Sequence, residues 1–324
     1  MKKKIKIGLA ICFIALAAGW VFKLYMPCHE QDHSALPPNS FYSFTLTESN
    51  SRIPCFQTEI EGIPFLAKLD TGYDGVLSLP KYLLEQLTNK CDGGTVFFTG
   101  IRGKKYESSM FNIPKLYIEN VALRNLPAKE AHPEFEYDAS LRADKNLEPS
   151  DLTARIGWWT FLGTILLIDL QKSAAICCDS LKTLEKKGYS LAQFISTDLL
   201  SSEHLLEFEA NIDNRVIKCL LDTGSSLNLI QASSSPANEE PKFGEVDFAN
   251  PPRLTQFSIG GRCLGPCEFY ETQLPFGAEA IIGIDFLETQ IVCIDFISRK
   301  LFLCPAPEDN SPDSEIPQTG SSAL

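Results

Sequence analysis

Ile60-Glu61-Gly62-Ile63-Pro64-Phe65-Leu66-Ala67-Lys68-Leu69-Asp70-Thr71-Gly72 has a counterpart 152 residues further on: Ile212-Asp213-Asn214-Arg215-Val216-Ile217-Lys218-Cys219-Leu220-Leu221-Asp222-Thr223-Gly224. Each stretch opens with a turn pair (Glu61-Gly62, Asp213-Asn214), continues as a short apolar strand and ends in Asp-Thr-Gly. Gly62 to Asp70 and Asn214 to Asp222 are both eight residues. Further on, Ala154-Arg155-Ile156-Gly157 leads through Trp158-Trp159-Thr160-Phe161-Leu162 to a strand ending at Ile168-Asp169. Ala280-Ile281-Ile282-Gly283 leads through Ile284-Asp285-Phe286-Leu287 to one ending at Ile294-Asp295. Gly157 to Asp169 and Gly283 to Asp295 are both twelve residues, and nine more reach Cys178 and Cys304. Repetition of several spacings in one order marks an internal duplication.

Around these motifs the chain reads as all-β. Phe208, Ala210 and Ile212 alternate with polar residues as half-buried strands do, and Gly, Pro, Asn and Asp punctuate short runs at the intervals of barrel-like lobes. The expected organisation is a transmembrane or signal segment at 1–28, a linker at 29–50 and a first lobe at 51–179. A connection with some helical character at 180–203, a second lobe at 204–304 and a disordered tail at 305–324 complete it. Asp70 to Gly157 is 87 residues and Asp222 to Gly283 is 61. The surplus is expected in the acidic, Pro-containing stretch Pro127–Leu152, read as a surface loop.

Leu69-Asp70-Thr71-Gly72-Tyr73-Asp74-Gly75-Val76-Leu77-Ser78-Leu79-Pro80 closely resembles the bacterial single-domain retropepsin-like aspartic peptidases. Leu221-Asp222-Thr223-Gly224-Ser225-Ser226 resembles the active-site turn of pepsin-like enzymes, and the segments ending at Gly157 and Gly283 resemble the apolar-apolar-Gly element behind that turn in both groups. The resemblance spans roughly residues 52–178 and 205–304. It implies two β-barrel lobes forming an intramolecular pseudo-dimer, with Asp70 and Asp222 in one catalytic dyad. Thr71 and Thr223 would tie the two turns together. Gly72 and Gly224 would let backbone approach the carboxylates, and Ser225 would donate a hydrogen bond to Asp222. Gly100, Ile101, Arg102 and Gly103 would form a flap tip, with no matching hairpin between Gln231 and Pro252. Relatives of this kind cleave extended peptides with apolar residues around the scissile bond.

The chemistry explains the doubling. Two carboxylates in contact share one proton, so their titrations split. The ionised member activates a water and the protonated member donates to the substrate carbonyl, with no covalent intermediate. The expected activity is therefore that of an aspartic endopeptidase. A catalytically silent lobe pair that binds peptides or acts in assembly is the alternative. No P-loop, His-Glu-x-x-His helix or Gly-x-Ser-x-Gly elbow is present.

Composition narrows the partners. The net charge is −12, and residues 1–28 hold five lysines and no acidic residue, leaving 24 basic against 41 acidic residues in the remainder. That balance argues against nucleic-acid binding, which needs clustered Lys and Arg. Lys2, Lys3, Lys4 and Lys6 precede an apolar run from Ile7 to Phe22, which reads as an anchor with the remainder on the extracytoplasmic side. Cleavage after Ala15-Leu16-Ala17, giving a secreted protein, is the rival. Of 11 cysteines, Cys177, Cys219 and Cys293 lie in apolar strands and read as buried thiols. Cys263 and Cys267 lack two further ligands for a metal site. No metal or cofactor is expected, and the chain is expected to act as a monomer with a peptide or protein substrate.

Overall fold

The computed structural model describes residues 39–48, 52–99, 105–119, 121–132, 153–200, 205–232, 246, 248, 250–274 and 277–305. The first half comprises β1 (Phe41–Thr45), β2 (Thr47–Glu48), β3 (Pro54–Ile60), β4 (Ile63–Asp70), β5 (Leu77–Leu79), β6 (Cys91–Thr99), β7 (Lys105–Ile118), β8 (Val121–Glu130), β9 (Ala154–Gly157), β10 (Ile165–Asp169) and β11 (Ala174–Cys178). The second comprises β12 (Ile195–Asp198), β13 (Glu207–Ile212), β14 (Arg215–Leu221), β15 (Leu229–Gln231), β16 (Arg253–Ile259), β17 (Arg262–Thr272), β18 (Ala280–Ile282), β19 (Gln290–Asp295) and β20 (Lys300–Pro305). Among the described residues helices are short and few, the one after β5 being Lys81–Gln86.

The turn pairs of the repeat are hairpins. Ile60 pairs with Ile63 across Glu61-Gly62, and Ile212 with Arg215 across Asp213-Asn214. Both central residues have positive φ in each turn, 53° and 80° in the first and 49° and 65° in the second. That geometry matches strand twist and favours Gly, Asn and Asp. The strands so launched close two barrels. The second lobe runs β13-β14-β18-β15-β17-β16. The first runs β3-β4-β9-β5-β8-β7, closed by pairing of β3 with β7. Every pairing of one barrel has its counterpart in the other, including the parallel pairs β4–β9 and β14–β18 that end at the Asp-Thr-Gly turns. Fully buried Phe56, Leu69 and Ile156 in one lobe, and Phe208, Phe257 and Phe269 in the other, belong to one continuous core.

A six-stranded sheet, ordered β1-β11-β10-β19-β20-β12, joins the lobes. Its centre is self-complementary. Ile165 pairs with Asp295, Leu167 with Cys293, and Asp169 with Ile291, so repeat-equivalent residues exchange partners about the Leu167–Cys293 pair. This is the local twofold of the molecule. The repeated aspartates Asp169 and Asp295 are buried and accept from turn amides, Lys172 N–H at 3.1 Å and Ile297 and Ser298 N–H at 2.9 Å each. They close hairpins.

Three expectations change. The stretch read as a linker contains β1 and β2, because β1 completes the sheet on β11 just as β12 does on β20. The duplicated unit therefore starts earlier than its motifs, and the connection 180–203 includes β12 beside the helix Leu181–Lys186. The surplus length of the first lobe is not one loop. Pro127 and its neighbours through Glu130 are strand, held by pairing with β7 and β5. Part of the surplus forms the helix Lys81–Gln86 and the β6–β7 hairpin, and the rest, 133–152, lies outside the described residues. No helix among the described residues is long and apolar enough to cross a membrane. The segment 1–28 and the tail beyond Pro305 lie outside them.

Candidate active site

Asp70 ends β4, and Asp222 follows β14 directly. Each enters a tight turn in which the third residue on donates back, Tyr73 N–H to Asp70 O at 3.3 Å and Ser225 N–H to Asp222 O at 3.2 Å. The turns face each other across the lobe boundary and are tied by four crossed hydrogen bonds. Thr71 N–H donates to Thr223 Oγ1 at 3.0 Å, and Thr223 N–H to Thr71 Oγ1 at 2.9 Å. The Thr71 hydroxyl donates to Leu221 O at 3.0 Å, and the Thr223 hydroxyl to Leu69 O at 2.6 Å. Both threonines are fully buried. Each hydroxyl is thereby both donor and acceptor, which leaves nothing unpaired in a region where an unmade bond is costly.

The glycines are required by this approach. A Cβ on Gly72 would lie 2.4 Å from Asp222 Cγ, and one on Gly224 would lie 2.6 Å from Asp70 Cγ. Each turn therefore packs against the carboxylate of the other. Gly157 and Gly283 support the turns from behind. Gly157 N–H donates to Val76 O and Gly283 N–H to the Asn228 side-chain oxygen, both at 2.9 Å. A Cβ there would strike the Gly75 carbonyl at 2.1 Å or the Leu227 carbonyl at 2.3 Å. Asn228, buried and also donating to Glu268 O at 3.1 Å, escaped the sequence reading because a lone Asn after a Ser-Ser-Leu run carries no distinctive signal.

Asp222 accepts from Gly224 N–H at 2.8 Å. Its pKa is pushed up to about 7, first by burial and next by the negative charge of Asp70. Ser225 does not donate to this carboxylate. Its hydroxyl is spent on Leu227 O at 2.8 Å, inside the turn. Tyr73, the matching residue, likewise donates to Leu77 O at 3.1 Å, and burial raises its pKa well above the ordinary value.

The lobes differ beside the dyad. Lys68 and Arg155 are register partners on β4 and β9, outside the alternating core positions Ala67, Leu69, Ala154 and Ile156. Arg155 Nε lies 3.5 Å from Asp70 Oδ2, both side chains being one-tenth exposed. The equivalent pair in the second lobe is Leu220 and Ile281, within an apolar cluster that includes Val246 and Leu274. Lys129 lies over the Tyr73 ring at 4.5 Å. Burial lowers its pKa, and Asp74 counters this.

The β6–β7 hairpin pairs out to Thr99 and Lys105. The expected flap tip, Gly100, Ile101, Arg102 and Gly103, lies outside the described residues. Among the described residues β6 has no counterpart in the second lobe, where β16 spans 7 residues against 14 for β7. A cavity of about 270 Å³ lies away from the dyad, lined by Phe41–Phe44, Thr160–Leu162 and the β7–β8 turn, and no Asp-Thr-Gly residue lines it. Cys177, Cys219 and Cys293 are buried thiols outside any disulfide. No cluster of metal-ligating side chains is found among the described residues. No protein-family model matches the chain, and no curated protein matches its sequence.

Proposed function

We propose that this chain is an aspartic endopeptidase whose two lobes share one active site, with Asp70 and Asp222 activating a water for attack on a peptide bond. The observation that carries the reading is the crossed set of threonine hydrogen bonds, which packs each Asp-Thr-Gly turn against the carboxyl of the other. A structural turn has no use for that arrangement, since two carboxyls brought together largely out of water oppose ionisation of the pair.

One proton shared by the pair gives both functions the reaction needs. The ionised carboxylate takes a proton from the water as its oxygen attacks the carbonyl carbon. The protonated carboxyl donates to the carbonyl oxygen, and the resulting gem-diol collapses with proton transfer to the leaving nitrogen. The first-lobe hairpin covers the peptide, and the second lobe contributes apolar wall. The substrate is an extended peptide or protein segment, and an anchor at 1–28 holds the catalytic part on the extracytoplasmic face.

Calorimetry of the full-length protein in detergent with a peptide analogue carrying a hydroxyl at the tetrahedral carbon tests this. Binding by wild type and its loss in Asp70→Asn and in Asp222→Asn support the reading. Absence of binding by folded wild type between pH 4 and 7 would sink it.

A further inference from the structure

Two identical turns related by a local twofold would deliver two equivalent carboxyls, and the reaction needs unequal ones. We propose that Arg155 is a positioning residue that breaks this symmetry: its ion pair holds Asp70 as the ionised partner and leaves the shared proton on Asp222. The proposal rests on the peptidase reading and assigns a direction to it.

Three observations carry it. Arg155 Nε stands 3.5 Å from Asp70 Oδ2 with both side chains largely out of water, where a charge needs its countercharge. The equivalent position, two residues before the lobe glycine, is Ile281 in a strand paired in the same way. Among the described residues the register pair beside Asp222 therefore supplies no such cation, since Leu220 replaces Lys68 as well. The other groups around Asp70 are mixed in sign. Lys68 shares its face of β4, Lys129 from β8 is balanced by Asp74 in the turn, Tyr73 is neutral, and Asp222 comes from across the boundary. An ionised Asp222 is favoured by the Gly224 amide at 2.8 Å and by the more distant charge of Arg155, whereas Asp70 has the guanidinium in direct ion-pair contact, and a single neutral N–H is weaker than a guanidinium.

The roles follow. Asp70 takes the proton from water, and Asp222 donates to the carbonyl oxygen.

The test combines two measurements on the full-length protein. Aspartate ¹³Cγ resonances, assigned with Asp70→Asn and Asp222→Asn, are titrated in wild type, Arg155→Ile and Arg155→Lys. The pH profile of kcat/KM on a peptide library is recorded for the same three proteins. Asp70 is expected to ionise first in wild type. In Arg155→Ile the acid limb should move up by about one pH unit or more, with KM little changed, and Arg155→Lys should recover most of that shift. Wild-type titration with Asp222 ionising first overturns the proposal without needing any variant to fold. An acid limb that stays in place in folded Arg155→Ile overturns it too, while leaving the peptidase reading intact. Ionisation of Asp70 first in a protein that cleaves nothing would support the charge assignment and count against the peptidase reading.

Discussion

Replacing Asp222 by Asn should stabilise this protein at neutral pH, although it removes a residue at the centre of the site. Asn keeps an acceptor for the Gly224 amide and can still donate to Asp70, so it imitates the protonated carboxyl. Wild type has a folded pKa for Asp222 near 7 against an ordinary 3.8. Between those values the native state binds more protons than the unfolded state, so stability falls as pH rises through this window and levels off above it. At about 1.4 kcal/mol per pH unit, the window from 3.8 to about 7 amounts to roughly 4 kcal/mol as an upper bound. Urea unfolding of both proteins from pH 3.5 to 8.5 isolates the contribution of the coupled pair, because carboxylates other than Asp70 cancel in the difference. The two should be alike near pH 4, and Asp222→Asn should gain steadily to about pH 7. A difference that does not vary with pH, or that favours wild type as pH rises, would refute the reasoning.

Other outcomes follow from the same geometry. Thr223→Val strands the Thr71 amide and the Leu69 carbonyl in a buried site, and should cost about 2–4 kcal/mol in urea unfolding. Gly72→Ala drives a methyl against Asp222, and should lower kcat/KM roughly 100-fold through misplacement of about 1 Å. Arg52 pairs with Asp285 and Glu288 across the lobes but is 44% exposed. Arg52→Ala should therefore cost about 1 kcal/mol or less and leave the activity profile unmoved. Cleavage should decline above about pH 7 in wild type as Asp222 loses the shared proton, a decline to be read from the alkaline limb of kcat/KM.

The barrels and the meeting of the two Asp-Thr-Gly turns were legible because their signals are local and duplicated. A two-residue turn that needs positive φ, a strand of fixed length and Asp-Thr-Gly recur in register, and each constrains backbone within a dozen residues. Strands β1 and β12 were not legible, since Phe41–Thr45 and Ile195–Asp198 share no motif and are strands only because β11 and β20 offer them an edge. The fate of the Ser225 hydroxyl was also hidden. Its choice of Leu227 O over Asp222 depends on turn geometry that no spacing encodes. Arg155 stood in plain sight opposite Ile281 in the aligned segments. Its meaning required knowing that this register position lies beside Asp70 and outside the core alternation.

If one chain completes one dyad, cleavage by mixed variants will reveal it. Full-length wild type, Asp70→Asn, Asp222→Asn and an equimolar mixture of the two variants would be given the same peptide library in detergent between pH 4 and 7. Wild type should cleave, and each variant should be silent. The mixture should stay silent, because the Thr71–Thr223 bonds pair lobes within a chain. Cleavage by either variant alone at the wild-type rate, or recovery of activity in the mixture, would contradict it.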